Sequence, residues 1–563
     1  MKRTVAVLVG LIVVLLIGAG VALAVLLSQG GGGGEGKATE AKPAATAETK
    51  SKASESGQPG QPKSGGQITM LGGDPPTLDP ALSSDATSAA YVVEIFSGLV
   101  TLVRDGDGVK LAPDIADSWD VSSDGRTYTF HLNKDAKFHG GRAVTAQDFK
   151  YSFERAARTE TESTVAEEYL GDIVGAADVI NGRAKEMRGV TVIDDHTLQV
   201  QIDVAKSYFL YKLTYPTAFV VDKANVEQGR KWTDKPNGTG PFKLKEWRKG
   251  ERIVLERNPS YYRGPAHLNT VTFLLSGGSS MTMYENNEVD ISGVGLADME
   301  RVRDPSNPLN KQLVISENLD IGYIGFNVKT PPFDDPKVRQ ALVRAVNTKL
   351  IIDSVLQGLE EPAKGILPPG MPGFNKDLKG LAYDPALAKK LISESKYGSV
   401  DKLPPVTVTI PGSGATVPPT SEAVIQMWKD NLGLSVQIQQ VEWATFLSDL
   451  SRKRFQMFEA GWIADYPDPH DFLDILLYGG STQNHTNYNN PDVNKLLEQA
   501  RVERDEQKRM QLYQQVEQMI VDDAAWLPLW HSKNYLLVKP YVKNYFVAPM
   551  VIPILKDVYI DKG

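Results

Sequence analysis

The chain has 563 residues, 41% hydrophobic and 23% charged, with a formal net charge of −8. One hydrophobic core stops growing at roughly 250–300 residues, so at least two lobes are expected, and no Lys/Arg-dense stripe in the folded part suggests nucleic-acid binding. The absence of cysteine excludes disulfides, thiolate metal sites, cysteine nucleophiles and a cysteine-linked lipid anchor.

Lys2 and Arg3 precede an uninterrupted apolar run from Val5 to Leu27, long enough as a helix to span a hydrocarbon core of about 30 Å. Two cations ahead of it favour a cytoplasmic N-terminus, with the rest of the chain outside. Ala22-Leu23-Ala24 offers a signal-peptide cleavage site. The run continues through Val25, Leu26 and Leu27, however, which favours an uncleaved anchor. Residues 28–66 carry no large apolar side chain and are expected to form a disordered tether.

Hairpins follow. Alternating apolar residues flank Asp124-Gly125 between Trp119 and Leu132, then Asp194-Asp195 between Val190 and Ile202, then Lys249-Gly250 between Leu244 and Leu255. Thr145 with Asp148 three residues on predicts a capped helix burying Phe149 and Phe153. Asp334-Asp335-Pro336 opens another helix, with Val338, Leu342, Ala345 and Val346 inward. From Val406 the pattern becomes strand, helix from about Ala423 to Leu432, Gly433, strand at Leu434, Val436 and Ile438. This βαβ pattern implies parallel strands.

A set of segments occurs in order along the folded part, among them Pro75-Pro-Thr-Leu-Asp-Pro80, Leu111-Ala-Pro-Asp-Ile-Ala-Asp-Ser-Trp119, Asn237-Gly-Thr-Gly-Pro-Phe242, Pro331-Pro-Phe-Asp-Asp-Pro-Lys-Val-Arg339, Gly461-Trp-Ile-Ala-Asp-Tyr466 and Asn484-His-Thr-Asn-Tyr488. Through these segments the chain from about Gln67 onward resembles the oligopeptide/dipeptide-binding family of ABC-transporter extracytoplasmic solute-binding proteins. The resemblance implies an α/β, two-lobed, type II periplasmic-binding-protein-like fold with an additional inserted domain. The first lobe would comprise 67–111, 218–319 and 532–563, the inserted domain 112–217 and the second lobe 320–531. The crossings near Leu319 and His531 would act as the hinge.

The same resemblance implies a peptide held between the lobes through its backbone, and a carboxylate for its α-ammonium group. An unpaired buried ammonium is very costly. The matching position is Asp465, with Gly461, Trp462 and Ile463 presenting main chain to the peptide. A strand edge of the first lobe is expected near Ala81 to Asp85. Tyr323 aligns with a ligand-facing tyrosine, although core packing fits it equally, and Tyr169 of the inserted domain is a candidate for assisting the ammonium site. Asp320 and Ile463 stand where the family has a cysteine pair. Glu459 stands where it has an arginine for a short peptide's carboxylate, which hints at a cationic group nearby; a solvent-facing strand residue is the other reading. Asp468 and Asp471 are secondary candidates, one of them a cap for the helix holding Phe472 and Leu473.

No cofactor and no metal are expected, since no histidine falls in an HExxH or other ligand spacing, and His470 beside Asp468 and Asp471 reads as a loop and helix start. No Gly-x-Ser-x-Gly elbow occurs, and catalysis is not expected. The expected partners are a peptide ligand and transporter permease subunits, with the protein a monomer tethered outside the cytoplasmic membrane. A non-peptide solute (opine, oligosaccharide or nickel) and a membrane-tethered sensor or chaperone remain as alternatives.

Overall fold

A computed structural model describes residues 62–562 apart from 413 and 415. The expected anchor and most of the tether lie outside the described residues. Among the described residues no helix is long and apolar enough to cross a membrane. The last stretch of the expected tether is fastened to the first lobe: the Gly65 N–H donates to His267 O at 2.7 Å.

Three sheets organise the molecule. The seven-stranded sheet of the first lobe draws on widely separated segments, in the order Leu313–Glu317, Lys533–Val538, Ile291–Gly293, Gln67–Leu71, Thr270–Leu274, Arg252–Arg257, Phe242–Arg248. The six-stranded sheet of the second lobe runs Glu361–Pro362, Trp526–His531, Asp320–Phe326, Met457–Ile463, Val406–Pro411, Val436–Val441. A four-stranded sheet of the inserted domain runs Ala116–Val121, Thr127–Leu132, Thr197–Gln201, Val190–Asp194. This is the two-lobed type II arrangement with an added domain.

Local signals explain the local elements. The three turns each close an antiparallel pair. The helix Ala146–Ala157 begins where Asp148 reaches back to the Thr145 N–H at 2.9 Å, burying Phe149 and Phe153. Val406–Pro411 and Val436–Val441 pair in parallel. The intervening helix spans Pro419–Leu432, four residues earlier than the apolar pattern suggests. Proline at its first position has its φ already set for a helix, and Gly433, at φ 77°, ends it in the left-handed conformation.

Two strands pass almost directly from one large sheet into the other. Leu313–Glu317 leads into Asp320–Phe326, and Trp526–His531 leads into Lys533–Val538. At the crossings the Asp320 carboxylate accepts from the Ser532 N–H at 2.7 Å and from the Ser532 hydroxyl. His531, neutral because burial lowers it to about 4, has Nδ1 2.7 Å from Asp320 O. The inserted domain is tied to the first lobe by Arg155, which grips the Asp79 carboxylate with two bonds of 2.8 and 2.5 Å. One apolar cluster joins Val165, Tyr169 and Tyr215 of the inserted domain to Phe446, Tyr466 and Phe472 of the second lobe.

Candidate functional site

The strand Met457–Ile463 pairs along its whole length with Asp320–Phe326. On its other side only Met457 and Phe458 pair, with Val408 and Thr409. From Glu459 to Ile463 that outer edge therefore has no strand partner among the described residues. Gly461 is exposed on this edge, and its nearest neighbour to an added Cβ is Ile321 O at 3.5 Å. The open edge is a template for an extended ligand backbone.

Asp465 follows directly. The Ala464 N–H donates to Leu319 O at 2.7 Å, extending the pairing by one residue. Pro467 and Pro469 then stop the chain from continuing as a strand or a helix. The turn is pinned from below by Asp468, which takes two bonds from Arg509 at 3.0 and 2.6 Å and caps the His470 N–H at 3.0 Å. Asp474 is held likewise by Arg501, at 2.8 and 2.7 Å.

The half-buried Asp465 carboxylate accepts a hydrogen bond from the Tyr169 hydroxyl. Burial pushes its carboxyl above the usual range, and the Tyr169 bond pulls it back. Tyr169 lies on the short helix Ala166–Leu170, and its ring stacks on Tyr215 at 3.8 Å and 6°. Tyr215 donates to Ser83 O of the first lobe at 3.1 Å. The two lobes and the inserted domain thus meet within three side chains of Asp465.

The other expected residues fall in distinct places. Trp462 is half-buried and turns its indole N–H to Asp471 Oδ2 at 3.2 Å. Ile463 is register partner to Asp320. Tyr323 is 3% exposed and stacks on Trp526 at 3.6 Å. Glu459 accepts from the Ser421 hydroxyl at 2.6 Å, and burial pushes its carboxyl up. It forms no ion pair among the described residues, so the expected cationic neighbour is not part of this chain's described surroundings. The stretch from Ala81 to Asp85 is no strand edge. Asp79 caps the 3-10 turn Pro80–Leu82 and Asp85 caps the helix Ala86–Ile95, so their side chains compete with strand geometry.

Sequence reasoning passed over Tyr215 and Glu168, while Ser83 falls inside the stretch expected to face the ligand. Glu168 accepts from the Ser481 hydroxyl at 2.7 Å, the Thr482 N–H at 3.0 Å and the Thr482 hydroxyl at 3.2 Å. Nothing in local sequence marks it, because its partners lie more than 300 residues away. Among the described residues no group of three His, Cys, Asp or Glu is placed to hold a metal ion; beside the Arg509-bound Asp468, His470 Nδ1 sits 2.7 Å from the Tyr466 hydroxyl.

Fold and site together define a two-lobed binding protein with an inter-lobe acid. The sequence model of the bacterial extracellular solute-binding proteins, family 5, middle region, matches residues 110–484. The chain belongs to that family. It is 33% identical over 489 residues to the periplasmic oligopeptide-binding protein OppA of Escherichia coli K12, covering 84% of this chain and 88% of that one. The E. coli murein tripeptide-binding protein MppA superimposes with a TM-score of 0.80 at 30% identity, covering 89% of this chain and 99% of the other. An unliganded open form of MppA gives only 0.64 at 29% identity, covering 89% and 98%. The Haemophilus influenzae OppA complex with RPPGFSPFR gives 0.79 at 27% identity, covering 89% and 100%.

Proposed function

We propose that this protein captures peptides carrying a free amino terminus in the cleft between its lobes and delivers them to the permease of an ABC transporter. The observation that carries this reading is the Asp465 carboxylate at the end of an unpaired strand edge, Glu459 to Ile463. The edge pairs with the ligand's backbone irrespective of its side chains, and Asp465 with Tyr169 receives the ammonium group. Gly461 keeps the edge open, and Ile463 and Trp462 set its direction. Glu459 disfavours a ligand carboxylate on this strand. Peptide-bound relatives such as the H. influenzae protein support the ligand class. The role is capture, not catalysis.

The division into lobes at 111/112, 217/218, 319/320 and 531/532 belongs to the same reading, as does an N-terminal tether in the cytoplasmic membrane. Intact mass of native protein tests the tether: loss of the first two dozen residues would show cleavage instead.

The ligand test is a thermal-melt screen of residues 62–563 against short peptides, each repeated in N-acetylated form. Ligand at a hundred times its Kd stabilises by about 2.7 kcal/mol. Stabilisation by free-amine peptides alone is the expected result; equal stabilisation by acetylated peptides removes Asp465 from the role.

A further inference from the structure

Three acids surround the turn after Asp465, and only two have counter-ions. Asp468 is gripped by Arg509 and Asp474 by Arg501. Asp471 is fully buried and forms no ion pair among the described residues. Its Oδ2 accepts from the Asp465 N–H at 2.9 Å and the Trp462 indole N–H at 3.2 Å. Its Oδ1 is buried and meets no donor among the described residues. Among the described residues, the charged or titratable groups that interact most strongly with it are the carboxylates of Asp465 and Asp468 and the phenols of Tyr169, Tyr215 and Tyr466. None is a cation. A second ionised carboxylate here would lack both counter-ion and donors for one oxygen, an arrangement far costlier than a neutral acid.

We propose that Asp471 is a positioning residue that works as a neutral acid. Its Oδ2 fixes Trp462 and the Asp465 main chain, its Oδ1 carries a proton, and Asp465 alone presents negative charge to a ligand's amine. This rests on the amine reading of Asp465 given above. Burial and the neighbouring Asp465 charge both push the Asp471 carboxyl up, in keeping with the geometry.

The test pairs infrared spectroscopy with binding, on the full chain. The difference spectrum of wild type against Asp471→Asn at pH 7, without ligand, should contain one protonated-carboxyl carbonyl band. Asp471→Asn should bind a free-amine tripeptide within about threefold of wild type, because an amide offers the same acceptor and a donor in place of the acid proton. Asp471→Ala should weaken binding at least tenfold. An absent infrared band overturns the proposal, as does a tenfold loss in folded Asp471→Asn. If acetylated and free tripeptides bind alike, the amine reading fails instead, and the infrared band still decides the protonation of Asp471.

Discussion

The Tyr169 hydroxyl donates to the Asp465 carboxylate across the boundary between the inserted domain and the second lobe. Tyr169 belongs to the inserted domain, which Arg155 on the helix Ala146–Ala157 fastens to Asp79 of the first lobe, so on the proposed reading this bond couples amine recognition to closure. Removing one partner of a buried hydrogen bond costs about 1–3 kcal/mol.

Asp465→Asn should therefore weaken free-amine peptides more than tenfold and leave N-acetylated ones unaffected. Tyr169→Phe should weaken the same peptides by roughly 5–150-fold, which is that range converted. Because burial raises the Asp465 carboxyl, wild-type affinity should fall as the pH drops through its titration, when the protonated acid can no longer pair with an ammonium group. Calorimetric titrations at a series of pH values read all three; an unchanged Kd for Asp465→Asn would exclude the assignment.

Glu168 makes a latch beside that bond. It joins the inserted domain to Ser481 and Thr482 of the second lobe, and Gln483 Nε2 adds a bond to Thr164 O at 2.8 Å. Glu168→Gln replaces charge-assisted bonds by neutral ones, which are about half as strong. On the proposed reading the latch closes over the ligand, so bound peptide should leave about 3–10-fold faster with little change in association rate. Stopped-flow traces separate the two rates, and a change confined to association would contradict the latch.

What the sequence discloses follows the reach of its signals. The turns at Gly125 and Gly250, the cap at Thr145 and the βαβ unit after Val406 are written within short windows; the turns and the cap stand where their patterns point, and the helix of the βαβ unit starts four residues earlier. The order of the large sheets is not. Gln67–Leu71 pairs with Thr270–Leu274, some 200 residues on, and Lys533–Val538 lies between Ile291–Gly293 and Leu313–Glu317. Such pairings are chosen by tertiary packing rather than by local propensity. The same limit applies to single side chains. Asp465 stands out through its resemblance to a family motif. Asp471 six residues later looks like any helix cap until the Trp462 indole is brought onto it. Tyr323 meets the Trp526 ring, 203 residues on, only once the chain is folded.

The Asp468–Arg509 pair supports the floor of the turn, with side chains 6% and 7% exposed. Breaking one side of such a pair strands a buried charge and costs about 3–5 kcal/mol. Arg509→Ala should lower stability by that amount in urea unfolding. Asp468→Asn combined with Arg509→Met should recover much of it, because no buried charge remains. If the double variant is no more stable than the single one, the loss stems from packing rather than from the unpaired carboxylate.

Glu94 supplies a test of pH dependence away from the cleft. Its Oε1 accepts from the Ile554 and Leu555 N–H groups at 2.8 and 3.0 Å, fastening the C-terminal segment to the helix Ala86–Ile95. Its Oε2 is buried without a partner among the described residues, and burial pushes the carboxyl from 4.5 up to about 7. The folded state therefore holds this proton more tightly than the unfolded chain. The resulting stability is present in full below about pH 4.5 and is lost as the pH rises through about 7. His470 and His485, lowered by burial to about 3, act in the opposite sense, losing stability as the pH falls from 6.5. The variant must accordingly be compared with wild type at each pH. Relative to wild type, Glu94→Gln should gain on the order of 2–3 kcal/mol between pH 4.5 and pH 8, read by urea unfolding at matched ionic strength. A difference that stays flat across that range would mean that Glu94 ionises in the folded protein as readily as in the unfolded chain.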